Sequence, residues 1–469
     1  MDASSAGAME SLRLPAGFRW GAATAAFQIE GSTTADGRGP SIWDTFTAEP
    51  GRVIDGSNAL VAADSYRRYR DDIALLADLG ATDYRFSISW PRVQPGGSGP
   101  ANAAGLDHYE RFVDALGEAG IAPLATLYHW DLPQPLEDAG GWLVRDTASR
   151  YADYVGLVLD RLGDRVGRWI TLNEPAMTTL EGYALGTQAP GRTLMLGALP
   201  TVHHQLLGHG LAVAAIRASG ARPGSGPIEV GITNNHTLVV PASEEAADLM
   251  AAGAFDLIYN RIFIDPVLTG AYPDLSAFGL AEFPGVEPGD LEAISAPLDF
   301  YGVNSYNPTY VAAPAEGSEF ALAGLPFEPA APPEGTLVTG FDWPVVPGAF
   351  AELLVGLHRD YGDVLPPVVI TENGASYVDE VVPDGDGGLA VHDADRIAYL
   401  DGHLRAVAAA IEQGVDVRGY FVWSLMDNFE WAQGYTQRFG LVHVDFETGD
   451  RTRKDSYAWY RDLIAAQAG

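Results

Sequence analysis

The segment Thr171-Leu172-Asn173-Glu174-Pro175 ends a short β-prone run with a glutamate, and Pro175 prevents that run from continuing as a central strand. A second segment, Ile370-Thr371-Glu372-Asn373-Gly374, has the same plan, because a turn-forming Asn-Gly pair follows its glutamate. Both segments therefore predict a carboxylate at the end of a strand. A hydrolase that uses one carboxyl group as an acid and another as a nucleophile or base needs such a pair.

Outward from these segments, the chain alternates β-rich runs with amphipathic helical stretches. Glycines end the helical stretches predicted at 60–79, 106–119, 147–162 and 394–413, as expected for helix C-termini. Eight alternating units predict an α/β fold, a single (β/α)₈ TIM barrel of parallel strands. The predicted strands are 18–23, 82–89, 122–129, 168–174, 228–236, 298–306, 367–374 and 417–425.

In such a barrel the carboxyl ends of all strands meet at one rim, where the βα loops form the substrate pocket. Glu174 would end the fourth strand and Glu372 the seventh, so both would face this rim. The Ala-, Pro- and Gly-rich stretch 307–345 is expected to be a long loop beside the pocket. We predict one catalytic domain over residues 1–469, with residues 1–16 as a flexible N-terminal extension.

Composition narrows the possible partners. The net charge is −34, from 62 acidic and 28 basic residues, and Lys454 is the one lysine. This surface repels nucleic acid and anionic lipid, so neither is expected as a partner, and a small neutral substrate fits better. The chain has no cysteine, which excludes disulfides and thiolate metal sites. Residues 1–14 lack the layout of a secretory signal, so we expect a cytoplasmic location. The oligomeric state, monomer or homo-oligomer, stays open.

Aromatic and polar residues near the predicted strand ends suit a sugar. Indole rings pack on the C–H faces of a pyranose, while its hydroxyl groups need donors and acceptors. The residues that could form such a pocket are Gln28, His129, Trp130, Asn173, Trp423, Glu430 and Trp431. Glycosidases retain the anomeric configuration when their carboxyl groups lie about 5–5.5 Å apart and invert it at about 6.5–9.5 Å, a distance that the sequence leaves open.

Five motifs in register resemble glycoside hydrolase family 1, the β-glucosidase family. They are FRWGAATAAFQIEG at 18–31, YRFSISWPR at 84–92, NEP at 173–175, TENG at 371–374 and WSLMDNFEW at 423–431. The resemblance runs from about residue 17 to 461. It implies a retaining hydrolase in which Glu372 is the nucleophile and Glu174 is the general acid and then the base.

The resemblance also implies the supporting residues. Arg85 and Tyr306 would favour the charged form of Glu372, and Asn173 would bond the sugar 2-hydroxyl. The residues implied around the substrate are Gln28, His129, Trp130, Asn173, Asn304, Tyr306, Trp423, Glu430 and Trp431. No metal and no cofactor are expected.

Two comparisons within the family narrow the substrate. Relatives that act on 6-phosphorylated sugars replace the residue at the Glu430 position and use a nearby lysine, whereas this chain has Glu430 and no lysine there. Plant thioglucosidases carry Gln where this chain has Glu174. We therefore expect hydrolysis of β-D-glucosides or cello-oligosaccharides, with side activity on β-galactosides and β-fucosides. Ala176 departs from the aromatic residue common after Asn-Glu-Pro, which leaves the aglycone preference open.

This expected function has alternatives among enzymes and among binding proteins. A transglycosylating or galactose-preferring relative is the alternative among enzymes, and a sugar-binding barrel without catalysis is the alternative among binding proteins. A metal-dependent barrel hydrolase would need a ligand set that the sequence does not assemble. His204 and His209 lie five positions apart, about 140° around a helix, so packing or capping is favoured over metal binding for them and for His203.

Overall fold

The computed structural model describes residues 12–221, 223–224, 226–385 and 387–467. Eight parallel strands form a closed barrel in which each strand pairs with the next and the eighth pairs with the first. The predicted (β/α)₈ barrel is thus confirmed, and each strand lies inside its predicted interval. The strands are β1 Arg19–Ala23, β2 Asp83–Ser87, β3 Ala122–Thr126, β4 Arg168–Asn173, β5 Glu229–Asn235, β6 Phe300–Asn304, β7 Val368–Asn373 and β8 Val417–Trp423.

A long helical segment follows each barrel strand and packs on the outside of the barrel. The fifth segment is continuous but changes its winding, from α-helix Ala246–Asp256 through π-helix Leu257–Arg261 to α-helix Ile262–Thr269. The others are α1 Ser65–Leu79, α2 Ala103–Glu118, α3 Asp146–Leu162, α4 Leu199–Ala218, α6 Pro347–Tyr361, α7 Ala394–Glu412 and α8 Asp455–Gln467, with the fifth segment as α5.

The start predicted for the first helix, residue 60, is wrong. Ala62 and Asp64 have positive φ angles of 50° and 51°, so the chain cannot be helical there, and α1 begins at Ser65. Leu60, the first residue of the predicted helical stretch, is 58% exposed. The predicted end of this helix, before Gly80, is confirmed. Gly80 has a φ of 75°, and its N–H bonds the carbonyls of Ala77 and Leu76.

Shorter elements lie in the loops. Three small sheets pair Val239–Pro241 with Thr309–Ala312 and Glu328–Pro329, Val381–Pro383 with Leu389–Val391, and Val442–Val444 with Arg451–Arg453. The short helices are Ala26–Ile29, Ile42–Ala48, Trp90–Val93, Gln134–Asp138, Pro175–Met177, Asp290–Ile294 and Glu319–Leu322, with a π-helix at Thr178–Leu185. Single 3₁₀ turns are Ala35–Gly37, Gly141–Leu143, Met195–Ala198, Ser276–Phe278, Gly362–Val364 and Trp431–Gln433.

The region 307–345 forms the long loop segment expected after the sixth strand. It contains one short helix, and it contributes two strands to one of the small sheets. Its residues Phe341 and Trp343 stack on each other with ring centroids 4.5 Å apart and pack on Phe439. This aromatic cluster stands at the rim of the barrel. The rim therefore has an aromatic wall formed by Phe341, Trp343 and Phe439.

Residues 1–16 were predicted to form an N-terminal extension, and residues 1–11 of it lie outside the described residues. Leu12 is buried in the main core, and its carbonyl accepts a hydrogen bond of 2.9 Å from Gln467 Nε2 at the end of α8. Among the described residues, no helix is long and apolar enough to cross a membrane.

Candidate active site

The two strand-end glutamates lie at the same end of the barrel. Glu372 is on β7 and pairs in register with Asn304 on β6, while Glu174 directly follows β4. Both line a cavity of about 330 Å³, yet they are only 3% and 4% exposed. The geometry thus brings two buried carboxyl groups to one pocket, as the strand count predicted.

Glu372 is surrounded by hydrogen-bond donors. Arg85 on β2 donates through Nη1 to Glu372 Oε1, and Tyr306, just after β6, donates its hydroxyl to Oε2 at 2.5 Å. Arg85 is 1% exposed, so its ion pair with Glu372 is shielded from water. Both carboxylate oxygens of Glu372 therefore have a partner that favours the charged form.

Glu174 has a different environment. Asn304 Nδ2 donates to Glu174 Oε1 at 2.5 Å, and among the described residues no arginine, lysine or tyrosine is recorded donating to its carboxyl group. Glu174 also has a left-handed backbone, with a φ of 47°. Pro175 begins the next helix, and the N–H of Glu174 bonds the carbonyl of Thr233 at 2.8 Å.

The electrostatics separate the two groups. Burial and, to a smaller extent, the charge of Glu372 together raise the pKa of Glu174 to about 8. Burial also raises the pKa of Glu372, but Arg85 and the hydrogen bond from Tyr306 oppose that rise. In the paired site the proton is therefore held by Glu174 and the negative charge by Glu372.

Asn173 lies behind the cavity and contacts four other predicted site residues. Its Oδ1 accepts from Arg85 Nη2 at 2.6 Å and from Asn304 Nδ2 at 3.1 Å, while its Nδ2 lies 3.1 Å from His129 Nε2. Trp130 Nε1 donates to the Asn173 carbonyl at 2.9 Å. Burial and the nearby Arg85 charge lower the pKa of His129 well below its usual value, so the ring is neutral.

The loop after β8 supplies the opposite wall. Gln28 Nε2 donates to Asn428 Oδ1 at 2.9 Å and to the carbonyl of Phe429 at 3.0 Å, and it lies 3.4 Å from Glu430 Oε2. Burial and, to a smaller extent, the charge of Glu372 together raise the pKa of Glu430 to about 8. The rings of Trp130 and Trp431 lie 4.6 Å apart between centroids.

All twelve predicted site residues lie in this region, in two layers. The residues that line the cavity are His129, Trp130, Glu174, Tyr306, Glu372, Trp423, Glu430 and Trp431. The other four, Gln28, Arg85, Asn173 and Asn304, are hydrogen-bonded to lining residues from behind. The buried acceptor Gln28 Oε1 has no hydrogen-bond partner among the described residues.

Several lining residues were not identified from the sequence. They belong to the outer part of the cavity and include Met177, Asn235, Tyr259, Phe341, Trp343 and Gln433. In the segment after Asn-Glu-Pro, Met177 lines the cavity, whereas the side chain of Ala176 is buried and only 1% exposed. A backbone signal marks the inner site instead, because Trp130, Glu174 and Trp431 all have positive φ, a strain that clusters at functional sites.

The histidines of α4 have structural partners. His203 Nε2 lies 2.9 Å from Asp290 Oδ2, His204 Nδ1 lies 2.9 Å from the Trp142 carbonyl, and His209 Nδ1 lies 2.6 Å from Thr171 Oγ1. Each ring bonds a different element, so the three do not converge on one point.

A buried carboxyl pair with unequal donors, at the carboxyl end of a (β/α)₈ barrel, defines a glycosidase-type hydrolase site. The family model "Glycosyl hydrolase family 1" matches residues 10–468. The chain belongs to this family.

Relatives of known name match over nearly the whole chain. "Beta-glucosidase A" of Acetivibrio thermocellus is 42% identical, covering 97% of this chain and 99% of the relative. The "Bifunctional beta-D-glucosidase/beta-D-fucosidase" of Bifidobacterium breve is 45% identical, covering 96% and 98%. Among solved structures, the psychrophilic beta-glucosidase BglU from Micrococcus antarcticus aligns with a TM-score of 0.91 at 45% identity, covering 98% of this chain and 99% of that one.

Proposed function

We propose that this chain is a retaining β-glucosidase that removes non-reducing terminal β-D-glucosyl residues through a covalent glycosyl-enzyme. The observation that carries the proposal is the unequal pair of carboxyl groups. Glu372 accepts hydrogen bonds from Arg85 and Tyr306, whereas Glu174 accepts one from the neutral amide of Asn304. An ionised nucleophile and a protonated acid are the two states that the first chemical step requires.

In the first step, a carboxylate oxygen of Glu372 attacks the anomeric carbon and forms an ester bond. The bond from that carbon to the glycosidic oxygen breaks, and Glu174 transfers its proton to the departing oxygen. Glu174 is then ionised beside an uncharged ester. Because the charge of Glu372 has gone, the repulsion that raised the pKa of Glu174 is removed.

In the second step, Glu174 acts as the base. It accepts a proton from water while the water oxygen attacks the anomeric carbon from the face that the alcohol left. The ester bond breaks, and β-glucose and the carboxylate of Glu372 are released. The two displacements at one carbon restore the original configuration.

The position of Asn304 supports retention over inversion. Its amide donates to Glu174 Oε1 at 2.5 Å, and its backbone pairs in register with that of Glu372 on the next strand. A residue that adjoins both glutamates brings their carboxyl groups close together, which suits the separation of about 5–5.5 Å in retaining enzymes. Inverting enzymes place their carboxyl groups about 6.5–9.5 Å apart to admit a water between them.

The glycone would occupy the inner cavity. His129, Gln28 and Glu430 offer polar atoms to the sugar hydroxyls, and Asn173 would contact the 2-hydroxyl, whose hydrogen bonds strengthen in the transition state. Trp423 offers an indole face for the ring. Among the described residues that line the cavity there is no lysine or arginine, which disfavours a 6-phosphorylated sugar.

The outer cavity would receive the leaving group. Amides from Asn235 and Gln433 alternate there with the aromatic rings of Phe341 and Trp343. Such a mixed wall suits both a second glucose unit, as in cello-oligosaccharides, and an aryl group. The β-fucosidase activity named for the Bifidobacterium breve relative supports the proposed side activity on β-fucosides, and we propose β-galactosides as a further side activity.

We further propose that the chain acts as one catalytic domain, because the first and last barrel strands pair with each other. The cytoplasmic location, and the monomeric or homo-oligomeric state, remain predictions. Cell fractionation tests the first, and light scattering of the purified protein tests the second.

A panel of aryl glycosides tests the proposed substrate. We expect the highest kcat/KM for the β-glucoside, lower values for the β-fucoside and β-galactoside, and none above background for the 6-phospho-β-glucoside or the α-glucoside. The activity should be unchanged by a chelator. A preference for the phosphorylated sugar, or no hydrolysis of any β-glycoside, would refute the proposal.

A further inference from the structure

The one lysine of the chain lies outside the cavity and is completely buried. Lys454, at the start of α8, is 1% exposed, and its Nζ donates to Asp427 Oδ1 at 2.7 Å and also to Asp379. An ammonium group without partners would be very unfavourable in the protein interior. The two carboxylates therefore hold Lys454 in place, and Lys454 in turn holds them together.

Lys454 is the centre of a larger group of charges. Arg396 donates to both oxygens of Asp379, at 3.1 and 3.2 Å, and pairs with Asp393, while Arg438 donates to Asp427 at 2.7 Å. Three positive charges thus face three negative ones. We call this group the Lys454 cluster, and its members are Lys454, Arg396, Arg438, Asp379, Asp393 and Asp427.

One side of the cluster holds the end of β7. Arg396 Nε donates at 3.2 Å to the carbonyl of Ala375, three positions after Glu372, and Asp379 belongs to the same loop. Arg396 is 1% exposed, so water does not compete for these bonds. The backbone that leaves the nucleophile strand is therefore fixed by the cluster.

The other side of the cluster holds the loop after β8. Asp427 lies between Trp423 and Glu430, is itself 0% exposed, and accepts the N–H of Gly440 at 3.0 Å. The two loops also touch directly, since a Cβ on Gly374 would lie 1.8 Å from the carbonyl oxygen of Trp423. The end of β8 at Trp423 and the loop that carries Glu430 and Trp431 are thus bound to the loop that follows Glu372.

We propose that Lys454 is a positioning residue: through Asp427 and Asp379 it sets the place of Glu430 relative to Glu372. This inference rests on the proposed function and on the expectation that Glu430, at the position that relatives acting on 6-phosphorylated sugars replace, contacts the side of the sugar that bears C6. Lys454 touches no substrate. The compact ammonium group of Lys454 donates to two carboxylates from different loops.

The variant Lys454→Met tests the proposal, because it keeps the length of the side chain and removes its charge. We expect kcat/KM for an aryl β-glucoside to fall by about tenfold or more, since a misplacement near 1 Å costs up to about 100-fold. An aryl β-fucoside lacks the 6-hydroxyl and cannot lose that contact. The ratio of kcat/KM for fucoside to glucoside should therefore rise about threefold or more.

A matched control is Asp290→Asn. Asp290 is also buried, accepts from Arg145 Nη1 at 2.7 Å and lies 2.9 Å from His203 Nε2, and neither it nor these partners line the active-site cavity. We expect this variant to lower Tm with the fucoside-to-glucoside ratio unchanged. If Lys454→Met is folded but keeps the wild-type ratio within twofold, its role is only structural and the proposal is wrong.

A milder variant decides the question if Lys454→Met does not fold. Asp379→Asn keeps the shape of the side chain and removes one charge, so the ratio should shift in the same direction by a smaller factor, and an unchanged ratio overturns the proposal. Wild-type protein that hydrolyses neither glycoside would instead refute the proposed function, so the two failures are distinguishable.

Discussion

The ends of β4 and β7 present the same residue to the same cavity in two different environments. Glu174 leaves its strand with a left-handed backbone and accepts from the neutral Asn304 amide. Glu372 stays within its strand and accepts from Arg85 and Tyr306. The role proposed for each glutamate is thus set by donors from other parts of the barrel, on β2, on β6 and just after β6, and not by its own short motif.

The largest expected effect comes from removing the nucleophile. Glu372→Ala should lower kcat for an aryl β-glucoside by about 10⁵- to 10⁶-fold, because no other group can form the ester. Steady-state rates of the purified variant check this, with Asp290→Asn as a folded control. Rates near those of the wild type would end the assignment of Glu372.

The variant Glu174→Ala removes the other carboxyl group of the pair, the one proposed as acid and base. Glycosides with poor leaving groups should lose about 10²- to 10⁴-fold in kcat/KM, the range of general acid catalysis, while an activated dinitrophenyl glucoside loses far less in its first step. Added azide should yield β-glucosyl azide from this variant and α-glucosyl azide from Glu372→Ala. The same anomer from both variants would contradict the division of roles.

Tyr306→Phe should weaken the difference between the two glutamates without abolishing it. One donor to Glu372 is lost, which raises the pKa of Glu372 and disfavours the ionised nucleophile. We expect kcat/KM to fall by about 10- to 100-fold at neutral pH and the acid limb of its pH profile to move to higher pH. An acid limb that moves to lower pH, or does not move, would contradict this account of Tyr306.

The smallest effect is the pH dependence of the wild-type enzyme. Glu174 must be protonated in the free enzyme, so kcat/KM should fall as the pH rises through its pKa of about 8. When Glu372 is esterified, the pKa of Glu174 should drop, because the like charge is gone. Titration of Glu174 by NMR in the free and glycosylated enzyme measures the shift, and an upward shift would contradict the coupling.

The barrel and the inner site could be predicted from sequence for a simple reason. Strand periodicity marks β4 and β7, and in a parallel barrel the chain positions at strand ends also fix their side of the molecule. Glu174 and Glu372 are 198 residues apart, yet both positions followed from the strand count. The long-range motifs added the residues behind the pocket, such as Arg85 and Asn304.

The outer cavity and the Lys454 cluster could not be found in this way. Met177, Tyr259 and Trp343 come from a three-residue helix, a π-helical turn and a loop, none of which has a periodic signal in the sequence. The partners of Lys454 lie 27 and 75 positions away, and nothing local pairs an ammonium with Asp427 or Asp379. Likewise, positive φ at Ala62 and Asp64 overrode an apolar pattern that looked helical.

Covalent trapping tests the central claim most directly. A 2-deoxy-2-fluoro-β-glucoside with a good leaving group should form the ester quickly and hydrolyse it slowly, because the fluorine removes the 2-hydroxyl contact and disfavours the oxocarbenium-like transition state of both steps. Peptide mass spectrometry should then find one 2-fluoroglucosyl group, carried by Glu372. A label on Glu174 or on any other residue, or turnover without a covalent adduct, would contradict the account.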